Sequence, residues 1–211
     1  MAVGSGAPMR EPGGGGATTG PVDAGTGVPV RQFVLLAARL LEAGGVAEVL
    51  TQVALAARRL LSTVDAVSVT VHSGDGFRTP VSLQPAAAAL DQVQYDTGAG
   101  PCVAAARMTG PGLVVGRDLA ASGEWPVFAR VAVDRGYGSV LSAALAPDPG
   151  SAVALGALNL YFRRPHAPDA AVQDVALLLA THGALALAHA QALSYGVVQH
   201  GRLRKAAALR R

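Results

Sequence analysis

The sequence predicts an α+β domain: a central, mostly antiparallel sheet of five to six strands, with long first and last helices on one face and short helices and loops on the other. Two observations carry this. Residues 66–83 and 137–162 each alternate in period two on either side of a Gly/Asp or Pro/Asp/Gly turn, as hairpins do. Residues 46–64 and 168–195 instead carry apolar side chains at helical spacing, so helices precede and follow the hairpins.

Taken in order, residues 1–28 are rich in Gly, Pro and Thr and include four consecutive glycines. Such a segment cannot bury enough apolar area to offset chain entropy and is expected to be disordered. Structure is expected from Pro29, a helix-start proline, with a first helix over Arg31–Glu42 ended by Gly44 and Gly45. Val46, Leu50, Val53, Ala57, Leu60 and Val64 then form one apolar helical stripe, with Glu48, Gln52, Arg58 and Arg59 largely off it. Val67, Val69 and Val71 alternate with Ser68, Thr70 and His72 in a strand; Ser73–Gly76 turns the chain and Phe77–Leu83 returns. Leu113–Val115 reads as a short strand. Glu124–Arg135 reads as a helix, with Ser122 as its cap and Gly136 as its stop. Tyr137–Ala146 and Val153–Phe162 are strands joined by the turn at 147–150. Pro168 or Asp169 opens a long helix to about Tyr195. One domain over 29–195 and a basic tail over 196–211 result.

Composition narrows the function. The chain has 211 residues, enough for one full core. Hydrophobic residues make up 51 % but aromatics only 4 %, so Ala, Val and Leu must fill that core. Net charge is +3, and five of the 17 basic residues fall at positions 202–211, leaving the remainder slightly acidic against 14 Asp and Glu. A general basic field for nucleic acid is therefore excluded, and RNA binding would fall to the tail or to a further domain. Cys102 is the one cysteine, which precludes an intramolecular disulfide and points to a reducing cytosol. The first residues lack the apolar core of a signal peptide. The most apolar stretch, Ala170–Leu193, contains Asp174, His182 and His189; an Asp near mid-bilayer costs roughly 2.5–3.5 kcal/mol, so a buried helix and no membrane partner are expected. No nucleophile elbow, phosphate loop or metal-spaced histidine pair is present, and no enzymatic activity is expected.

Leu90–Cys102 carries the most information. It reads as a helix end, a loop in which Gly98 and Gly100 permit unusual backbone angles, and a new helix opened by Pro101 and running to Met108. A helix N-terminus facing a pocket would offer N–H donors to a polar or anionic group; the plainer alternative is that the glycines only turn the chain. The string LDQVQYDTGAGPCVAAARMTG resembles the middle of actinobacterial GAF domains, with their Leu-Asp, Gln-Tyr and Gly-x-Gly-Pro-Cys pattern. Further resemblances follow in order: Asp118, Trp125-Pro126 and Gly138–Leu141; Gly156–Tyr161; and the Ala-rich last helix. Together they span roughly 29–195.

This resemblance implies a cytoplasmic sensory or regulatory domain that binds a small molecule or a protein partner and signals through its terminal helices. In that subgroup a GAF domain often precedes an ANTAR domain, an RNA-binding module of antitermination regulators. The segment GRLRKAAALRR is similar to the helix leading into one, but too few residues follow for a three-helix RNA-binding unit. Two alternatives therefore stay open: a dimerisation or interaction scaffold without a ligand, and a fragment of an antitermination regulator. The last helix is apolar more than halfway round, which predicts a parallel homodimer through the first and last helices.

Candidate ligand contacts are Tyr95, Gly100, Cys102, Asp118, Trp125 and Phe128. Each has a structural alternative. Cys102 at a helix start could be an activated thiol or a small buried residue. Trp125 and Phe128 could stack a planar ligand or pack the core. Asp118 could bind a ligand or cap a turn. No metal or cofactor is expected: His182 and His189 lie two helical turns apart, too far for one ion. Cys102 is followed by Val103 and not by the His of bilin-attaching relatives. Reduction of methionine sulfoxide, known among GAF proteins, requires a second cysteine.

Overall fold

Both alternating regions fold as strands of one sheet, and the helical-period segments pack across it. The computed structural model describes residues 30–74, 76–148, 150 and 153–208, with side chains described from 31 to 194 apart from Ser73. The segment expected to be disordered and the helix-start Pro29 lie outside the described residues. In chain order the elements are α1 (Val30–Glu42), α2 (Val46–Leu60), β1 (Ala66–Ser73), β2 (Gly76–Ser82), α3 (Pro85–Thr97), α4 (Pro101–Ala106), β3 (Leu113–Gly116), α5 (Pro126–Asp134), β4 (Ser139–Ala144), β5 (Gly156–Phe162) and α6 (Ala170–Ala208). The sheet has five strands in the order β2-β1-β5-β4-β3, and every neighbouring pair is antiparallel.

Register sorts the side chains onto two faces, because successive residues of a strand point opposite ways. Val69 pairs with Leu158 and Leu158 with Ala143; one residue along, Ser68 pairs with Asn159 and Asn159 with Ser142. The first row joins Leu141, Leu160 and Phe162 in a core closed by α1, α2 and α6, where Val53, Ala54, Leu179 and Leu187 are fully buried. Small residues set how closely those helices approach. A Cβ at Gly183 of α6 would lie 2.6 Å from Val53 of α2. The second row faces α3, α4 and α5, with Leu90, Phe128, Ala132 and Tyr161 packed around it. Both faces of β5 are buried along its whole length. Close approach dictates one residue of it: a Cβ on Gly156 would fall 1.9 Å from the backbone oxygen of Thr70.

The structure departs from the expected boundaries for identifiable reasons. The α5 helix starts at Pro126, not Glu124, because the residue before a proline disfavours helical angles; Trp125 instead takes a left-handed conformation at φ 49°. The Ser122 hydroxyl accepts the Glu124 N–H, so it closes a local turn and does not cap the helix. Strands β4 and β5 are shorter than expected, since Leu145 and Leu155 pair outside the regular ladder. The segment read as a short helix end is a 13-residue helix, α3. The helix expected to stop near Tyr195 continues as α6 to Ala208. The Arg, Leu, Lys and Ala residues over 202–208 are strong helix formers. Ala170–Ser194 is long and apolar enough to cross a membrane, with a mean hydropathy of 1.5. It packs on α2 and on β4 and β5.

Candidate functional site

The second face of the sheet holds a buried polar cluster that the elements build from three sides. From α3, Asp91, Gln94 and Tyr95 project together because residues three and four apart share a helix face. From the sheet come Ser68 and Thr70 of β1, Thr79 of β2, and Asn159 and Tyr161 of β5. Between Val69 and Val71 the β1–β2 register shifts, a bulge that places Thr70. The third side is the start of α4. Asp91, Gln94, Ser68, Thr70, Asn159, Tyr161 and Cys102 are all fully buried.

Asp91 is the centre. Its Oδ1 accepts the Tyr161 hydroxyl at 2.5 Å and the Asn159 amide at 3.2 Å, and its Oδ2 accepts the Thr79 hydroxyl at 2.8 Å. The Tyr95 hydroxyl lies 2.8 Å from both Thr79 and Thr70. The Asn159 amide also donates to Thr70 at 2.8 Å and Ser68 at 3.2 Å. Among the described residues no Lys, Arg or His pairs with Asp91; the ion pairs there are Asp65–Arg163 and Asp118–His166. Burial raises its carboxyl pKa to about 6, although the hydrogen bonds from Tyr161, Ser68, Thr79 and Asn159 pull the other way. Burial, followed by the Asp91 charge, also pushes up Tyr161, Tyr95 and the Cys102 thiol. Two acceptors in the row, Asn159 Oδ1 and Ser142 Oγ, are buried without a partner and sit opposite one another across the β4–β5 ladder.

Gln94 ties this cluster to the loop that the sequence singles out. Its Nε2 donates to the Tyr161 hydroxyl at 3.1 Å, and its Oε1 accepts the Cys102 N–H at 2.8 Å. That second bond uses one of the free donors at the start of α4. Gly98 ends α3 in the left-handed region at φ 63°. Gly100 has φ 150°, and a Cβ there would lie 2.3 Å from Gln94 Oε1, so the bond to Cys102 requires glycine at 100.

Of the six residues proposed from sequence, the fold brings Tyr95, Gly100 and Cys102 together and sets Asp118, Trp125 and Phe128 apart. Asp118 accepts the backbone N–H groups of Ala120 and Ala121 at 3.1 and 3.2 Å in a turn after β3. Phe128 is buried and Trp125 partly buried among Leu119, Ala129 and Val140. A surface groove of about 340 Å³ beside them is lined by Leu119, Ser122, Pro126, Ala129 and Arg130. Cys102 is a buried thiol with a raised pKa, which opposes the activated-thiol alternative. Sequence reasoning missed Asp91, Gln94, Thr79, Asn159 and Tyr161. Their signal was present: Asp91, Gln94 and Tyr95 at helical spacing, and polar residues on the non-valine face of a strand. Among the described residues no group of three His, Cys, Asp or Glu is placed to hold a metal ion.

This architecture is the GAF-type fold, and proteins of known structure share it. A domain assigned to a two-component sensor histidine kinase protein from Sinorhizobium meliloti superposes with a TM-score of 0.56 and 17 % identity, over 72 % of this chain and 96 % of that one. The chromophore-binding domain of the bacteriophytochrome RpBphP3 from R. palustris superposes at 0.58 and 12 % identity, over 78 % of this chain and 62 % of that one. A longer RpBphP3 chain gives 0.55 and 14 %, over 83 % and 40 %. No family model matches the sequence, and no curated protein matches it.

Proposed function

We propose that this chain is a non-enzymatic sensory domain of the cytoplasm that takes its input at the Asp91 cluster and passes it through β5 to the terminal helices. The observation that carries this reading is the position of the cluster. It fastens α3 to the central strand, whose opposite face packs on α6 in the core that α2 also closes. A buried carboxylate with a shifted pKa and no cation beside it among the described residues is costly for a purely structural core and recurs at functional sites. The output surface of this reading is the outer side of α1 and α6, where Leu35 is 62 %, Leu185 52 % and Leu193 59 % exposed. A second copy burying that strip makes a parallel homodimer. The resemblance to actinobacterial GAF domains that precede ANTAR modules gives one setting for it, in which RNA contact belongs to the basic end or to a further domain.

The rival scaffold reading draws on one observation: apart from Asn159 Oδ1 and Ser142 Oγ, the cluster's side chains satisfy one another. Native mass spectrometry of protein purified from its host, with thermal shift across a metabolite panel, separates the two for small-molecule inputs. A co-purifying or stabilising molecule supports the sensor. Bare protein, no thermal shift and no response of the dimer to a change at Asp91 together support the scaffold.

A further inference from the structure

We propose that the input bound at this site is a proton, taken up by Asp91 and accommodated by reversal of the hydroxyl chain Thr79–Tyr95–Thr70. The inference rests on the sensory reading and names its ligand. The layer in which an organic ligand would lie is filled by Gln94, Asn159, Tyr161 and Cys102, all fully buried. At its centre stands a carboxylate to which the described residues supply donors but no cation.

The geometry satisfies both protonation states without moving a heavy atom. In the ionised state Thr79 donates to Oδ2, while Tyr161 and Asn159 donate to Oδ1. On protonation, hydronium from bulk solvent gives up one proton and becomes water, and an O–H bond forms at Oδ2. That hydrogen now points at Thr79 Oγ1. Thr79 turns its own hydrogen to Tyr95 Oη, Tyr95 turns its hydrogen to Thr70 Oγ1, and Thr70 turns its hydrogen to the Cys102 sulfur beside it; the first two steps are hydroxyl pairs at 2.8 Å in which either oxygen donates. One proton enters, none leaves, and the site goes from one negative charge to neutral. The middle of the chain approaches solvent: the Tyr95 ring is partly exposed and stacks on Phe77, which stacks on the exposed His72.

The titratable groups facing Asp91 are Tyr161 from β5, Tyr95 from α3 itself and Cys102 from α4. Strands β1 and β2 present only hydroxyls, from Ser68, Thr70 and Thr79. Among the described residues α5 contributes no hydrogen bond or ion pair to it. Asp91 is thus the member of this cluster that changes charge in the weakly acidic range, burial having raised it to about 6. Neutralisation turns the charge-assisted Tyr161 bond into an ordinary one, roughly half as strong, and so loosens α3 from β5.

The test is a carbon- and nitrogen-detected NMR titration of the full chain from pH 4.5 to 8. Asp91 Cγ is expected to titrate near pH 6, well above exposed carboxylates at about 4, and amides of β5 and of the α6 residues packed on it should move with the same midpoint. Tyr95→Phe cuts the hydroxyl chain and leaves the carboxyl in place; it should lower the midpoint by about half a pH unit. A midpoint below about 4.5, a midpoint indifferent to Tyr95→Phe, or a response that stops at α3 overturns the proposal. A metabolite that stabilises both the wild type and Asp91→Asn, alongside a flat Asp91 titration, would remove the proton and leave the sensory reading standing.

Discussion

Replacing Asp91 with Asn keeps the size of the side chain and deletes its charge, so the cost of that charge is open to measurement. Burial lifts the carboxyl from 3.8 to about 6. At about 1.4 kcal/mol per pH unit, the folded state holds the proton more tightly than the unfolded chain by roughly 3 kcal/mol. Because the folded pKa is the higher one, this stabilisation is complete below about pH 3.8. It falls away as the pH rises through 6. An Asn at 91 can still accept from Tyr161 and Asn159 and can donate to Thr79, whose hydroxyl then turns to Tyr95. Urea unfolding of both proteins at intervals from pH 4 to 8 isolates the effect, since the other carboxylates cancel in the difference. The two should agree within about 1 kcal/mol at pH 4, and Asp91→Asn should be the more stable by roughly 2–3 kcal/mol at pH 7.5. A difference that stays constant with pH, or one that grows in favour of the wild type, refutes the reasoning.

Other consequences are simpler to reach. Gly156→Ala puts a methyl group against the Thr70 backbone oxygen, where no flexible side chain can yield; a loss of about 3 kcal/mol or more is expected, seen as a large fall in melting temperature. Cys102 should resist iodoacetamide in the native protein even at pH 8.5 and react fully in denaturant; rapid native alkylation would contradict the raised thiol pKa. Leu185→Glu changes a half-exposed site on α6, so unfolding free energy should move by less than about 1 kcal/mol while light scattering at micromolar concentration shifts from dimer to monomer. A wild type that is already monomeric would dispose of the dimer.

The fold was legible because its signals are periodic. Three valines alternating with Ser68, Thr70 and His72 give a strand whatever surrounds them, and the stripe from Val46 to Leu60 can only be a helix with one buried side. Ends were less legible, because Pro126 and the irregular pairing around Leu145 and Leu155 act through backbone angles that a hydrophobic pattern does not record. The site was legible in part. Tyr95, Gly100 and Cys102 fall in the segment whose glycines and proline mark it, and Gly100 proves to be shaped by Gln94. Asp91 and Asn159 were harder. They lie 68 positions apart, and only the pairing of β1 with β5 and the seating of α3 bring them within 3.2 Å. Trp125 and Phe128 carry rings suited to stacking a planar ligand, yet those rings pack with Leu119, Ala129 and Val140.

Coupling between the cluster and the terminal helices is most directly tested by sedimentation equilibrium of the full chain at pH 7.5, comparing wild type with Asp91→Asn. If the charge at Asp91 is read out through β5 and α6, the dimer dissociation constant should differ between them by about fivefold or more, the lower end of typical coupling energies. Equal dissociation constants, with both proteins folded, would contradict a sensory role for the cluster and leave the scaffold.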